Sequence, residues 1–73
     1  MRDAQIMEQL RQGRRRIRDI TSAIYADIDA RLHGAAALNV LAHLIRLVKT
    51  GAVIADGPAA MNAEYRPASG VQG

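Results

Sequence analysis

Hydrophobic residues recur with a helical period over Ala35 to Thr50, AAALNVLAHLIRLVKT, more regularly than anywhere else in the chain. On a helical wheel Ala37, Leu41, Leu44 and Val48 share one face, widened by Leu38, Val40, Ile45 and Leu47, with Asn39, His43, Arg46 and Thr50 as a polar stripe opposite. The pattern predicts a nearly buried amphipathic helix about 24 Å long, the element around which the rest is built. Each buried Leu or Ile there contributes about 1.5–3 kcal/mol. Gly51 stops this helix, and Arg46 and Lys49 sit beside the negative end of its dipole.

Before it, Asp3 is a candidate N-cap, followed by Ile6, Met7 and Leu10 at helical spacing, and Gly13 ends this first helix. Arg14 to Arg16 cannot bury as a run and suit a short edge strand, whose charges discourage unwanted pairing. Ile17, Ile20 and Ile24 predict a second short helix running to about Ala26, with Thr21 and Ser22 facing outward or bonding back to the preceding turn. Asp27 to Gly34 reads as a turn containing one helical turn, with Leu32 inserted into the core and Gly34 at the onset of the main helix.

After Gly51, Ala52 to Ala55 predicts a strand closed by Asp56-Gly57-Pro58. Asn62 to Arg66 alternates, placing Ala63 and Tyr65 on one face and Glu64 and Arg66 on the other, before Pro67 ends the strand. The two strands form a hairpin with a long loop and a mobile tip. The expected fold is mainly α with a small β-hairpin wing, in the order α-β-α-α-β-β, which is a winged helix, the hairpin-bearing variant of the helix-turn-helix. It fills residues 1–68 and leaves 69–73 as a disordered tail.

A chain of 73 residues makes one small domain that buries only about 60% of its unfolded surface. Without cysteine it has no disulfide or thiolate metal site, and its 49% hydrophobic content must supply the core. The apolar run Val40 to Val48 is broken by His43 and Arg46, too short and polar to cross a bilayer, and the N-terminus lacks a signal-peptide core. These features predict a soluble, cytoplasmic chain with no membrane partner.

Net charge is +3, and six of the ten basic residues precede Asp19. Arg11, Arg14, Arg15, Arg16 and Arg18 form a cluster suited to nucleic-acid phosphates or an anionic partner, although a charge run of this kind is more often a solvated turn. Tyr25 and Tyr65 are the only aromatic residues, whereas single-strand binders stack bases on several.

Catalysis finds no foothold. There is no cysteine nucleophile, no glycine-rich phosphate loop followed by lysine, and no carboxylate pair in an apolar pocket. His33 and His43 lack the i, i+3 or i+4 spacing of metal ligands, and a solvated or capping role suits both better. Ser22 with either histidine has no third group to orient a base.

The run IYADIDARLHGAAALNVLAHLIRLVKTGAV, Ile24 to Val53, resembles the small winged-helix domain that follows the catalytic domain in one group of metallo-β-lactamase-fold hydrolases. RRIRDITSAIY looks like that domain's second helix and AEYR like its last wing strand, so the resemblance spans roughly residues 3 to 67. Arg16 stands where such domains often have a threonine helix cap, and Ala30 and Gly34 where proline is usual. The resemblance implies an accessory domain that packs beside a metallo-β-lactamase-fold catalytic domain and helps shape its substrate entrance. It also implies no catalytic, cofactor-binding or metal-binding residue here. The family's two-metal centre, with zinc or similar ions, is built on an HxHxDH motif and further residues of the preceding domain, and superfamily relatives hydrolyse thioesters, lactams, phosphodiesters and RNA.

The alternative is a small DNA-binding regulator, with Ala35 to Thr50 as recognition helix and Asn39, His43, Arg46 and Lys49 at base edges. That face is thin, because Ala35, Ala36 and Ala42 flank it, whereas base readout favours several Arg, Asn or Gln residues near the helix N-terminus. The residues therefore favour the accessory domain over the analogy of fold.

Overall fold

A computed structural model of the chain describes residues 2–68, so the expected tail, 69–73, lies outside the described residues. The elements are α1 (Arg2–Arg11), α2 (Ile17–Ile24), a 3-10 turn (Ala30–Leu32), α3 (His33–Lys49), β1 (Val53–Ala55) and β2 (Tyr65–Pro67). Three helices and an antiparallel hairpin reproduce the winged-helix order, with the boundaries adjusted by the chain's local chemistry.

Glycine ends both α1 and α3 by the same device. Gly13 has φ +104°, its N–H donates to the Leu10 carbonyl at 3.0 Å, and the Arg14 N–H reaches back to Gln9 at 3.1 Å. Gly51 has φ +86°, with the Gly51 N–H on Val48 at 3.1 Å and the Ala52 N–H on Leu47 at 3.0 Å. Each crossed pair satisfies carbonyls that a helix end leaves open, in a left-handed conformation that glycine adopts without a Cβ penalty.

Several expected boundaries shift. α1 begins at Arg2, so Asp3 lies in its first turn rather than at its cap. The edge strand expected at Arg14 to Arg16 shrinks to one bridge, Arg16 to Glu64, with the Tyr65 N–H donating to the Arg15 carbonyl at 2.8 Å. Only three residues separate Gly13 from the start of α2, too few for a longer ladder. α2 stops at Ile24 rather than Ala26, because Tyr25 leaves helical geometry at φ −109°, ψ 41°. Thr21 is 2% exposed rather than outward-facing; four residues after Ile17, it falls on the same buried side of the helix.

The 3-10 turn is capped by Asp29, whose carboxylate accepts the Arg31 N–H at 2.9 Å, and it runs straight into α3. α3 therefore starts at His33 rather than Ala35, taking Gly34 into its first turn, and ends at Lys49 with Thr50 as cap. Leu32, expected in the core, is 55% exposed, because the turn stands ahead of the first buried position of the helix, Ala36.

The buried stripe of α3 is Ala36, Val40, Leu44 and Leu47. Ala37, Leu41 and Val48 are only partly buried at its flank, whereas Leu38 is 60% and Ile45 36% exposed. The apolar arc read from the sequence was wider than one packed face, and a three-helix domain has neighbours to cover only part of it. The stripe closes with Ile6 and Leu10 of α1, Ile17 and Ile20 of α2, and Val53, Ala63 and Tyr65 of the wing into a single core.

β1 and β2 pair with Val53 opposite Pro67, Ile54 opposite Arg66 and Ala55 opposite Tyr65. The Asp56 N–H on Glu64 at 2.8 Å and the Ala68 N–H on Ala52 at 3.0 Å extend the ladder at both ends. Antiparallel bonds alternate, so residues 65 and 67 point their main-chain donors away from β1. Tyr65 donates to Arg15 across the other edge. Pro67, which has no N–H to waste, is the last paired residue of the strand rather than its terminator. Ala63 and Tyr65 face the core while Glu64 and Arg66 are exposed, as the alternation predicts.

Candidate functional site

The polar residues of α3 are tied to the rest of the domain. Seven residues after Ala36, His43 returns to nearly the same side of the helix, at the edge of the core. Its Nδ1 lies 2.7 Å from Asp3 Oδ1, and Arg46 Nη2 donates to the same oxygen at 2.8 Å. A carboxylate only accepts, so His43 Nδ1 carries the proton it gives to Asp3, and the 3.0 Å approach of Arg46 to that ring nitrogen follows from their shared target. The Arg46 hydrogen bond holds the Asp3 carboxyl below its ordinary range against partial desolvation, and His43 adds to the effect. Asp3, expected as a cap, thus joins α1 to α3.

Asn39 accepts a hydrogen bond from the Tyr25 hydroxyl at 3.2 Å, and Arg2 lies 4.6 Å over the same tyrosine ring. Of the four residues expected to meet base edges, only Lys49 makes neither an ion pair nor a side-chain hydrogen bond among the described residues. Exposed along α3 are Ala35, Leu38, Ala42 and Ile45, with Asn39, Arg46 and Lys49 on the same solvent side.

The arginine cluster divides. Arg14, Arg15 and Arg16 line an open concavity of about 780 Å³ together with Gln12, Asp19 and Ser22. Arg15 is partly spent there on the carbonyls of Leu10 (3.0 Å) and Arg14 (3.2 Å), and Arg14 donates to Gln12 at 3.1 Å. Arg16, which makes no side-chain cap for α2, reaches across to the wing, donating to the Asn62 carbonyl at 3.2 Å and pairing with Glu64 at 2.8 Å. Arg11 stands apart beside Glu8, 3.5 Å away. Arg18 points to a second cleft of about 460 Å³, shared with Arg16, Ile17, Ala37, Met61 and Asn62.

Sequence reasoning missed the anchoring of the wing loop. The buried Tyr65 directs its hydroxyl onto the Ala60 carbonyl at 2.6 Å, and the Ala63 N–H donates to the same carbonyl at 3.2 Å. Burial raises the Tyr65 phenol above its usual pKa, partly offset by the Ala60 bond. An inward tyrosine five residues after a loop position was the available signal, since a buried phenol needs a partner.

The two histidines stand ten residues apart on α3, about 15 Å along its axis. Among the described residues no three His, Cys, Asp or Glu side chains gather where a metal ion could be held. The donor set among the described residues therefore does not fit a two-metal hydrolytic centre. No helix among the described residues is long and apolar enough to cross a membrane.

No curated protein and no solved structure matches the chain. The model of the beta-lactamase associated winged helix domain matches residues 17–60, more than half of the chain, from the first residue of α2 through α3 and β1 into the wing loop. α1 and β2 lie outside the match, and both complete the core around the matched helices. On the fold and on this match together, the chain belongs to the beta-lactamase associated winged helix domain family.

Proposed function

We propose that this chain is a non-catalytic accessory domain of a metallo-β-lactamase-fold hydrolase, docked on the catalytic domain through the outward face of α3 and helping to shape the substrate entrance. The reading rests on the family and on one observation. The helix that would read DNA in a winged-helix regulator turns Leu38 and Ile45 to solvent, while Asn39, His43 and Arg46 are engaged within the domain. An exposed apolar patch rimmed by Asn39, Arg46 and Lys49, the first two already bonded within the domain, suits a protein surface better than a phosphate backbone. The metal chemistry and the cytoplasmic setting belong to the same reading.

Two tests apply. The coding sequence upstream of Met1 is expected to hold a domain of about two hundred codons carrying an HxHxDH motif, and a promoter in its place overturns the proposal. With that domain expressed separately and mixed with this chain, Leu38→Asp and Ile45→Asp are expected to weaken association at least tenfold, about 1.4 kcal/mol, by calorimetry. Unchanged affinity in both variants removes α3 from the interface.

A further inference from the structure

The cleft beside Arg18 is built differently from the open arginine concavity. Its floor is apolar, formed by Ile17 at the start of α2, Ala37 on the flank of α3 and Met61 on the wing loop, and its rim carries Arg16, Arg18 and Asn62. At about 460 Å³ it lies within the size range of small-molecule pockets, which join apolar walls to a few placed polar groups. Met61 is 40% exposed although it sits on a tethered loop. Tyr65 holds the loop at Ala60 from inside, and Arg16, just before α2, holds it at Asn62. The wall opposite α3 is therefore fixed in place before any ligand arrives, which lowers the ordering cost of binding. A flexible thioether offered toward a cavity adapts to varied apolar shapes.

The charge at the rim selects among occupants. Arg16 is compensated by Glu64 at 2.8 Å, whereas Arg18 has no ion pair or side-chain hydrogen bond among the described residues. One uncompensated guanidinium thus stands over an apolar floor, and a guanidinium pairs with the planar oxygens of a carboxylate or phosphate through parallel N–H donors. We infer that this cleft binds a small organic anion with an apolar body, its carboxylate or phosphate head on Arg18 and its hydrocarbon against Ile17, Ala37 and Met61. The inference stands on this chain's own residues and does not require docking on a hydrolase. If that docking holds, the cleft becomes a subsite for an amphipathic anionic substrate at the entrance.

The test is a titration of the isotope-labelled chain with octyl phosphate, octanoate, 1-octanol and inorganic phosphate, all below micelle-forming concentrations, followed by amide chemical shifts. At least one of the two amphipathic anions is expected to give saturable shifts at Arg18, Ala37, Met61 and Asn62, and the tighter of the two identifies the head group. Octanol is expected to bind at least tenfold more weakly, and inorganic phosphate to leave Ala37 and Met61 unmoved. Arg18→Gln and Met61→Asp alter exposed side chains, and each is expected to keep the spectral dispersion of the folded chain while weakening the anion at least tenfold. The inference is overturned if neither anion binds, if Arg18→Gln binds equally well, if phosphate alone reproduces the shifts, or if the shifts centre on Leu38 and Ile45 as in unselective adsorption to the apolar face.

Discussion

Replacing Leu44 by alanine tests the orientation of α3 against the rest of the molecule. Leu44 is fully buried in the cluster that includes Ile6, Leu10, Ile20 and Tyr65, contributed by α1, α2 and the wing. Removing three of its four side-chain carbons from such a site loses their transfer free energy and leaves a cavity that neighbours on several elements cannot all close, a cost of about 2–5 kcal/mol. A chain of 73 residues has roughly 4–11 kcal/mol of stability in total. The same change at Leu38, six residues earlier and about 120° away around the helix, touches a side chain already largely in solvent and costs less than about 0.5 kcal/mol. Urea unfolding followed by circular dichroism is expected to show a large fall in midpoint for Leu44→Ala with unchanged slope, and almost none for Leu38→Ala. The melting temperature of Leu44→Ala falls by about 10–30 °C, since each kcal/mol moves a domain of this size by several degrees. Leu41→Ala, at the half-buried flank, falls between the two. Equal losses at positions 38 and 44 refute the packing phase of α3, and with it the outward face on which the docking proposal rests.

Tyr65→Phe keeps the ring in the core and removes the hydroxyl that holds Ala60; a stability loss of about 1 kcal/mol is expected, with faster amide exchange at Met61 and Asn62, and unchanged exchange there shows that the tether does not order the loop. For Asp3, the folded carboxyl titrates below its unfolded value, so its contribution is complete above the unfolded pKa of about 3.9 and is lost as pH falls through the lower folded value. The stability gap between the natural chain and Asp3→Asn is therefore expected to close under strong acid, as the Asp3 carboxylate is protonated; a gap that persists there contradicts an ionised Asp3 paired with Arg46 in the folded chain. With mixed-sequence duplex DNA, binding is expected to centre on Arg14 to Arg16, to spare Asn39 and His43, and to fall with salt at a slope of about −0.9 per phosphate neutralised. Binding to one selected duplex at physiological salt, with shifts at Asn39, His43 and Arg46 that a scrambled duplex does not give, makes α3 a recognition helix after all.

Periodicity and punctuation carried the fold, because helix spacing, glycine stops and strand alternation are local properties of the chain. Ile6 with Leu10, Ile17 with Ile20, and Ala63 with Tyr65 could each be placed on a buried face from their spacing alone, and Gly13 and Gly51 marked two helix ends that the structure keeps. Spacing does not say how far a neighbouring element reaches. The sixteen residues from Ala35 to Thr50 offered an apolar arc wider than any one packed face. Only the tertiary placement of α1, α2 and the wing decided that Ala36, Val40, Leu44 and Leu47 lie inside while Leu38 and Ile45 lie outside. The same placement brought Asp3 across forty positions of sequence to His43 and turned Arg16 from a charge in a basic run into the tie that fixes the wing loop. It also set Arg18, beside the compensated Arg16, over an apolar floor drawn from α2, α3 and the loop. Pairings between residues this far apart depend on how whole elements pack, and a local pattern of hydrophobic and polar positions carries no record of them.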